Sequence, residues 1–244
     1  MSAELQGAAS FAAADEALQS TLDTLEGSRN YNLWILSLIE PFLGKRIVEV
    51  GAGHGTFTAL LAERVQAVVA VEPSERCVGL LHDRFRGQPG VVIVPGELEN
   101  ASDYGPFDSA VLINVLEHIE DDRQALRGLA AMLKPGGHVL LWVPAFSLLY
   151  SEFDRKIGHF RRYRRRELRD RLVDAGLRPV RLHYVNAIGA ILWFIGARLL
   201  RRTPTSRLPV LLMDRIVIPA VMRFERVVRP PFGQSLLAIA VKPD

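Results

Sequence analysis

Apolar and polar positions along this chain switch between two periods. Over residues 12–39 apolar side chains recur at helical spacing, at Leu18, Leu22 and Leu25 and again at Leu33, Leu36 and Ile39. This predicts a helix broken near Gly27-Ser28 and ended by Pro41 and Gly44. Short β-branched runs then alternate with amphipathic segments. Strands are predicted over 46–50, 67–71, 91–94, 107–114, 138–143, 179–185 and 235–241, and helices over 56–65, 74–85, 121–133 and 167–175. Ser74 reads as an N-cap, acids fill the first turn after Asp121, and Pro135-Gly136-Gly137 and Gly176 act as stops. Continuous apolar strands between amphipathic helices imply an α/β fold with a mostly parallel sheet and helices on both faces.

One stretch interrupts this rhythm. Residues 186–233 separate the sixth and seventh strands and hold two apolar runs, one from Ala187 to Ala197 and one from Leu208 to Met222 that is broken by Asp214 and Arg215. Neither reaches the roughly 18–20 uncharged residues needed to cross a bilayer. As helices they could cap an apolar pocket, pair with a second copy as a homodimer, or lie in a membrane interface with flanking arginines. The expected division is an N-terminal helical cap at 1–44, a main domain at 45–185 and 234–244, and the apolar insertion at 186–233.

Charge sharpens this picture. The net charge of +3 hides 10 Lys/Arg against 19 Asp/Glu in residues 1–150 and 20 against 8 in residues 151–244. The basic second part suits an anionic substrate or membrane surface, or is a solvated arginine-rich face. Cys77 is the single cysteine, so no internal disulfide can form and a reducing compartment is expected. The first ten residues lack a basic segment followed by an apolar one, so the expected location is cytoplasmic, with peripheral membrane contact as an option.

Chemistry concentrates where the first strand ends. Ile47-Val48-Glu49-Val50 runs into Gly51-Ala52-Gly53-His54-Gly55, and Val71-Glu72-Pro73 follows about twenty residues after the first glycine. That distance places a carboxylate on a ribose in Rossmann-type units. The dinucleotide pattern G-x-G-x-x-G would need a small residue where Thr56 stands. A nucleoside ligand without phosphates therefore fits better.

These residues resemble the class I S-adenosylmethionine (SAM)-dependent methyltransferases, most closely the small-molecule branch that includes quinone-biosynthesis enzymes. The resemblance covers about residues 31–143 and returns at 234–243. It implies a Rossmann-like sheet of seven strands whose last is antiparallel, lying between the fifth and sixth. It implies SAM as cofactor, with Gly51, Ala52 and Gly53 under the nucleoside and methionine parts, Glu49 near the methionine ammonium and Glu72 with Pro73 at the ribose. Glu97 and Leu98 match the loop that meets adenine, although the family more often has Asp at the first position. Asn114, in Asn114-Val115-Leu116-Glu117-His118-Ile119, matches the residue beside the methionine part. Tyr31 resembles an N-terminal aromatic that closes over SAM, or it packs in the core.

The acceptor site in this family is commonly built after the fifth strand, where this chain has residues 150–163. Within them, Asp154, Gly158, His159, Arg161, Arg162 and Tyr163 form a D-x-x-x-G-H-x-R-R-Y run similar to one in a bacterial subgroup. His159 is a candidate general base oriented by Asp154, and His118 is a second base candidate or a packing residue. Tyr150, Arg161, Arg162 and Tyr163 are candidates for binding the acceptor, the two arginines by clamping an anion. The alternative is a loop ordered by Asp–Arg pairs. No segment has metal-ligand spacing, and no metal is expected.

The expectation is methyl transfer by direct displacement to a small, apolar or amphiphilic, lipid-like acceptor, with or without an anionic group. One alternative is an RNA-directed methyltransferase, disfavoured because no aromatic stacking platform accompanies the arginines. Another is a non-catalytic SAM-binding partner at a membrane surface.

Overall fold

The computed structural model describes residues 28–199 and 211–244. The expected helix upstream of Ser28 and the start of the second apolar run lie outside the described residues.

Seven strands form one sheet in the order β3-β2-β1-β4-β5-β7-β6. They are β1 (Arg46–Val50), β2 (Ala67–Glu72), β3 (Val91–Pro95), β4 (Phe107–Ile113), β5 (Leu133–Pro144), β6 (Arg178–Val185) and β7 (Ser235–Val241). The first five pair in parallel, and β7 runs antiparallel to both β5 and β6. This is the Rossmann-like sheet with its antiparallel last strand in the expected place.

Period-two alternation sends each strand's side chains to two separate cores. Val48, Val69, Val71, Val139 and Leu141 join one, covered by α4 (Asp122–Met132) and α6 (Arg165–Asp174). Ile47, Val68, Ala70, Leu140 and Trp142 join the other, covered by α1 (Arg29–Ile39), α2 (Thr56–Ala62) and α3 (Glu75–Arg84). Ser74 caps α3 as expected, its hydroxyl accepting from the Cys77 amide.

One boundary differs from expectation. Strand β5 begins at Leu133, directly after α4, instead of after the Pro-Gly-Gly stop. Leu133 pairs with Phe107, and the ladder then shifts register so that Ser109 meets His138. Pro135-Gly136-Gly137 therefore forms an irregularity within the strand, where a Cβ on Gly137 would lie 2.9 Å from the Lys134 carbonyl and 3.0 Å from that of Asp108.

The insertion leaves the sheet at its carboxyl edge, because Ser235 pairs with both Pro144 and Val185. It begins with α7 (Ala187–Trp193), which continues as π-helix over Phe194–Leu199. It resumes as a π-helical turn over Met213–Val217 and α8 (Ile218–Glu225). Ile218 and Val221 are buried in the same core as Trp34, Leu36 and Trp142, so this part of the insertion packs with α1 on the sheet. Carboxylates pin both insertion helices. Glu225 accepts from the Asn186 and Ala187 amides at the start of α7, and Asp214 accepts from the Asn30 and Tyr31 amides at the start of α1. Among the described residues no helix is long and apolar enough to cross a membrane.

Candidate active site

The loop from β1 to α2 turns on three glycines with positive φ, 73° at Gly51, 54° at Gly53 and 77° at Gly55. Side chains are strained in that region and glycine is not. Space forbids them as well, since a Cβ on Gly51 would lie 2.5 Å from a Val115 methyl and one on Gly55 would lie 2.6 Å from the Phe85 ring. Glu72 braces the loop from the end of β2. Its carboxylate accepts from the Gly53 amide at 2.7 Å and from the Ser74 amide at 2.9 Å. A carboxylate has about four lone-pair sites, so one that braces the loop can also accept from ribose hydroxyls.

Glu49 is the electrostatic anomaly of this loop. It is buried near the end of β1, and its Oε2 has no hydrogen-bond partner. Burial raises its pKa to about 8, the Glu72 charge adds to the rise and Thr58 opposes it. Leaving a buried carboxylate uncompensated is costly, and a nearby cation would remove that cost. An ammonium of the kind SAM carries fits this orphaned oxygen. Glu97 is exposed and caps the short 3-10 helix of Leu98–Tyr104, and Leu98 is buried behind it. Asn114 takes φ of 54° and donates its amide to the Trp142 carbonyl, which turns the chain off β4. Tyr31 packs edge-on against Trp34 and Trp142, and its hydroxyl accepts from the Trp142 indole at 2.9 Å.

The segment after β5 is tied to the β4 loop, because the Phe160 amide donates to the Glu117 carbonyl. Asp154, on the short helix α5 (Glu152–Lys156), organises it from a fully buried position. Its carboxylate accepts from the Ser151 amide and hydroxyl, from Arg162 Nε at 2.7 Å, and lies 3.0 Å from His159 Nδ1. Although burial acts against it, bonding to His159 and the Arg162 charge hold its pKa down at about 2. His118 meets the His159 ring edge-on at 4.5 Å, and burial, with the His159 charge, lowers its pKa to about 3.

The remaining candidates are engaged within the protein. Tyr150 donates its hydroxyl to the His159 carbonyl. Arg161 bonds the Ile119 and Glu120 carbonyls and pairs with Asp122. Arg162 lies under Trp193 of α7, with its Nη1 unpartnered. Tyr163 is fully buried, and its hydroxyl lies within hydrogen-bond distance of the Leu116 carbonyl and of Asp122. Burial and the Asp122 charge push its pKa far up.

Sequence reasoning did not single out Glu117 or Trp193. An acid inside the apolar run Val115-Leu116-Glu117-His118-Ile119 was the available signal for the first. The second needed the packing of α7 over residues 149–162, where the Trp193 indole donates to the Leu149 carbonyl and its ring meets Phe153.

A family model described as methyltransferase domain matches residues 26–182. The chain belongs to the class I SAM-dependent methyltransferases. Over 110 residues it is 32% identical to the ubiquinone biosynthesis O-methyltransferase of Ralstonia nicotianae, covering 43% of this chain and 45% of that one. Over 64 residues it is 42% identical to ribosomal RNA small subunit methyltransferase A of Geobacter sulfurreducens, covering 26% and 23% of the two chains. The chain thus spans less than half the length of these curated relatives. Its fold is similar to that of the N-methyltransferase NodS from Bradyrhizobium japonicum, solved with S-adenosylhomocysteine, with TM-score 0.59, 18% identity and coverage of 88% and 87%. It is also similar to a SAM-dependent methyltransferase from Thermotoga maritima, with TM-score 0.61, 19% identity and coverage of 93% and 98%.

Proposed function

We propose that this protein moves the methyl group of SAM to a small amphiphilic acceptor, with oxygen the preferred receiving atom. The observation that carries this reading is the orphaned Glu49 carboxylate beside three positive-φ glycines, with Glu72 on the adjacent strand. SAM supplies an activated methyl on a sulfonium, which leaves binding and alignment to the protein. In this reading Glu49 holds the methionine ammonium, Glu72 the ribose hydroxyls and Leu98 the adenine side, while Tyr31 closes the cradle from α1. Likeness to the ubiquinone O-methyltransferase supports a small-molecule acceptor and transfer to oxygen.

The acceptor would meet the methyl between the β4 loop and residues 150–163, beneath the aromatic end of α7. Because Arg161 is held by two carbonyls and Asp122, an anionic group on the acceptor would turn to Arg162 Nη1. His159 and its Asp154 partner stand nearest to the work of positioning or deprotonating an acceptor. The insertion also presents Ile188, Ile191, Leu192, Ile216 and Phe224 outward, next to Arg215 and Arg223. That composition suits a lipid interface from which an apolar acceptor could enter.

The test is incubation of the protein with methyl-labelled SAM and a lipid and metabolite extract, followed by mass spectrometry. Label is expected in a small amphiphilic product, and labelled RNA with no labelled metabolite would overturn the reading. With the acceptor in hand, His159→Ala is expected to slow single-turnover methyl transfer about 10²–10⁴-fold while SAM affinity changes little.

A further inference from the structure

Glu117 is the buried group with the least accounted for. It is completely buried, and neither carboxylate oxygen has a hydrogen-bond partner. Native proteins pair nearly all buried polar atoms, so two orphaned oxygens on one carboxylate point to a missing charged companion. Its neighbours show what kind. His159 Nε2 lies 3.8 Å from Glu117 Oε1, too far for a hydrogen bond. His118 adds a second imidazole, and one ligand atom from each of the three residues lies within 4.8 Å of the others.

The surroundings prepare those atoms. His159 presents Nδ1 to Asp154 at 3.0 Å, so the carboxylate accepts from Nδ1 while Nε2 faces Glu117. Asp154 is itself fixed by Ser151 and Arg162. A carboxylate behind a histidine, fixing its tautomer and ring angle, is the usual outer shell of a metal-bound imidazole.

We infer that Glu117, His118 and His159 form a binding site for one divalent transition ion of the zinc type, with Asp154 orienting His159. Two imidazole nitrogens and one carboxylate suit Zn²⁺ and its neighbours, whereas Ca²⁺ and Mg²⁺ require oxygen-rich shells. Bonds of about 2.0–2.2 Å would draw the three atoms together by roughly an ångström, within reach of side-chain rotation. Arg162 bonds Asp154 and not Glu117, so among the described residues no protein cation occupies the place beside the Glu117 oxygens. Three protein ligands leave an open coordination position. The signal was invisible to motif reading because the ligands come from two segments, Glu117-His118 and His159, joined only by the fold.

The test uses untagged full-length protein freed of metal by a chelator. Co²⁺ is titrated while visible absorption is followed, and Zn²⁺ is then added in competition. One equivalent of Co²⁺ with a ligand-field band, displaced by Zn²⁺, is the expected result. Asp154→Asn is expected to weaken binding about 10–100-fold, the usual effect of losing an outer-shell partner. Glu117→Gln and His159→Ala are each expected to weaken it further. Glu117→Gln keeps the side chain's shape and removes a buried acid whose oxygens have no hydrogen-bond partner, so it should fold at least as well as the parent. Retained S-adenosylhomocysteine binding by each variant shows that the fold is intact. Substoichiometric uptake by the parent, or equal affinity in the parent, Glu117→Gln and His159→Ala, would overturn the inference.

Discussion

Glu49 and Glu72 show how two acids one strand apart acquire different duties. Glu72 accepts from two backbone amides, so Glu72→Ala is expected to loosen the glycine loop as well as the proposed ribose contact. Calorimetry with S-adenosylhomocysteine should show a loss of about 1.5–3 kcal/mol, the scale of charge-assisted hydrogen bonds. Wild-type affinity would remove Glu72 from the ribose site. Glu49 has its folded pKa raised from about 4.5 to about 8 by burial. Folding therefore favours its protonated form. Its contribution is fully present below the unfolded value and is lost as pH rises toward 8. Thermal unfolding of the unliganded protein should show stability falling between about pH 5 and pH 8, with Glu117 acting in the same direction. Glu49→Gln is expected to flatten that dependence and to weaken S-adenosylhomocysteine binding. A profile in Glu49→Gln identical to the parent's would show that the Glu49 carboxylate is compensated by some other group. These acids were legible in the sequence because Glu49 precedes the glycine turn and Glu72 ends the next strand about twenty residues after its first glycine. The engagement of Arg161 and Tyr163 was not, since a basic or aromatic residue in a loop carries no mark of which carbonyl or acid it will meet.

Helix α1 owes its start to a residue far along the chain. Ser28, at its N-cap position, makes no side-chain cap, and the Asp214 carboxylate accepts from the Asn30 and Tyr31 amides in its place. Asp214→Ala should therefore cost about 1–2 kcal/mol of stability, as loss of a helix cap does. Because Tyr31 belongs to that first turn, the same change should weaken S-adenosylhomocysteine binding, and Asp214→Asn should recover part of both losses. Unchanged melting and affinity in Asp214→Ala would separate the insertion from the cofactor site. All seven strands were readable from β-branched runs, and helix starts from caps such as Ser74. The start of β5 was not, because Pro135-Gly136-Gly137 is a strong local stop that sheet pairing overrides. Nor could a cap supplied across 184 residues be read from local sequence.

At the scale of the molecule, the basic surplus of the second half divides into two populations. Arg161 and Arg171 pair with Asp122, Arg162 with Asp154 and Arg169 with Asp170, so much of the arginine-rich run serves the fold. Arg215, Arg223, Arg226 and Arg229 instead accompany exposed Ile216, Phe224, Val227 and Val228. If that surface meets lipid, the protein should float with vesicles containing anionic lipid, and the bound fraction should fall as salt rises. Ile216→Ser with Phe224→Ser should abolish flotation without altering S-adenosylhomocysteine affinity. No flotation at low salt would leave pocket covering or self-association as the work of the insertion. Strand β7 carries a different consequence. It lies between β5 and β6, and all seven of its residues are buried, yet the whole insertion at 186–233 separates it in sequence from β6. During synthesis the facing edges of β5 and β6 must wait for it, so the nascent chain keeps two open ladders until Ser235–Val241 emerge. A stop codon placed just before Ser235 would therefore leave a gap inside the sheet, and the product should be a substrate for chaperones and proteases.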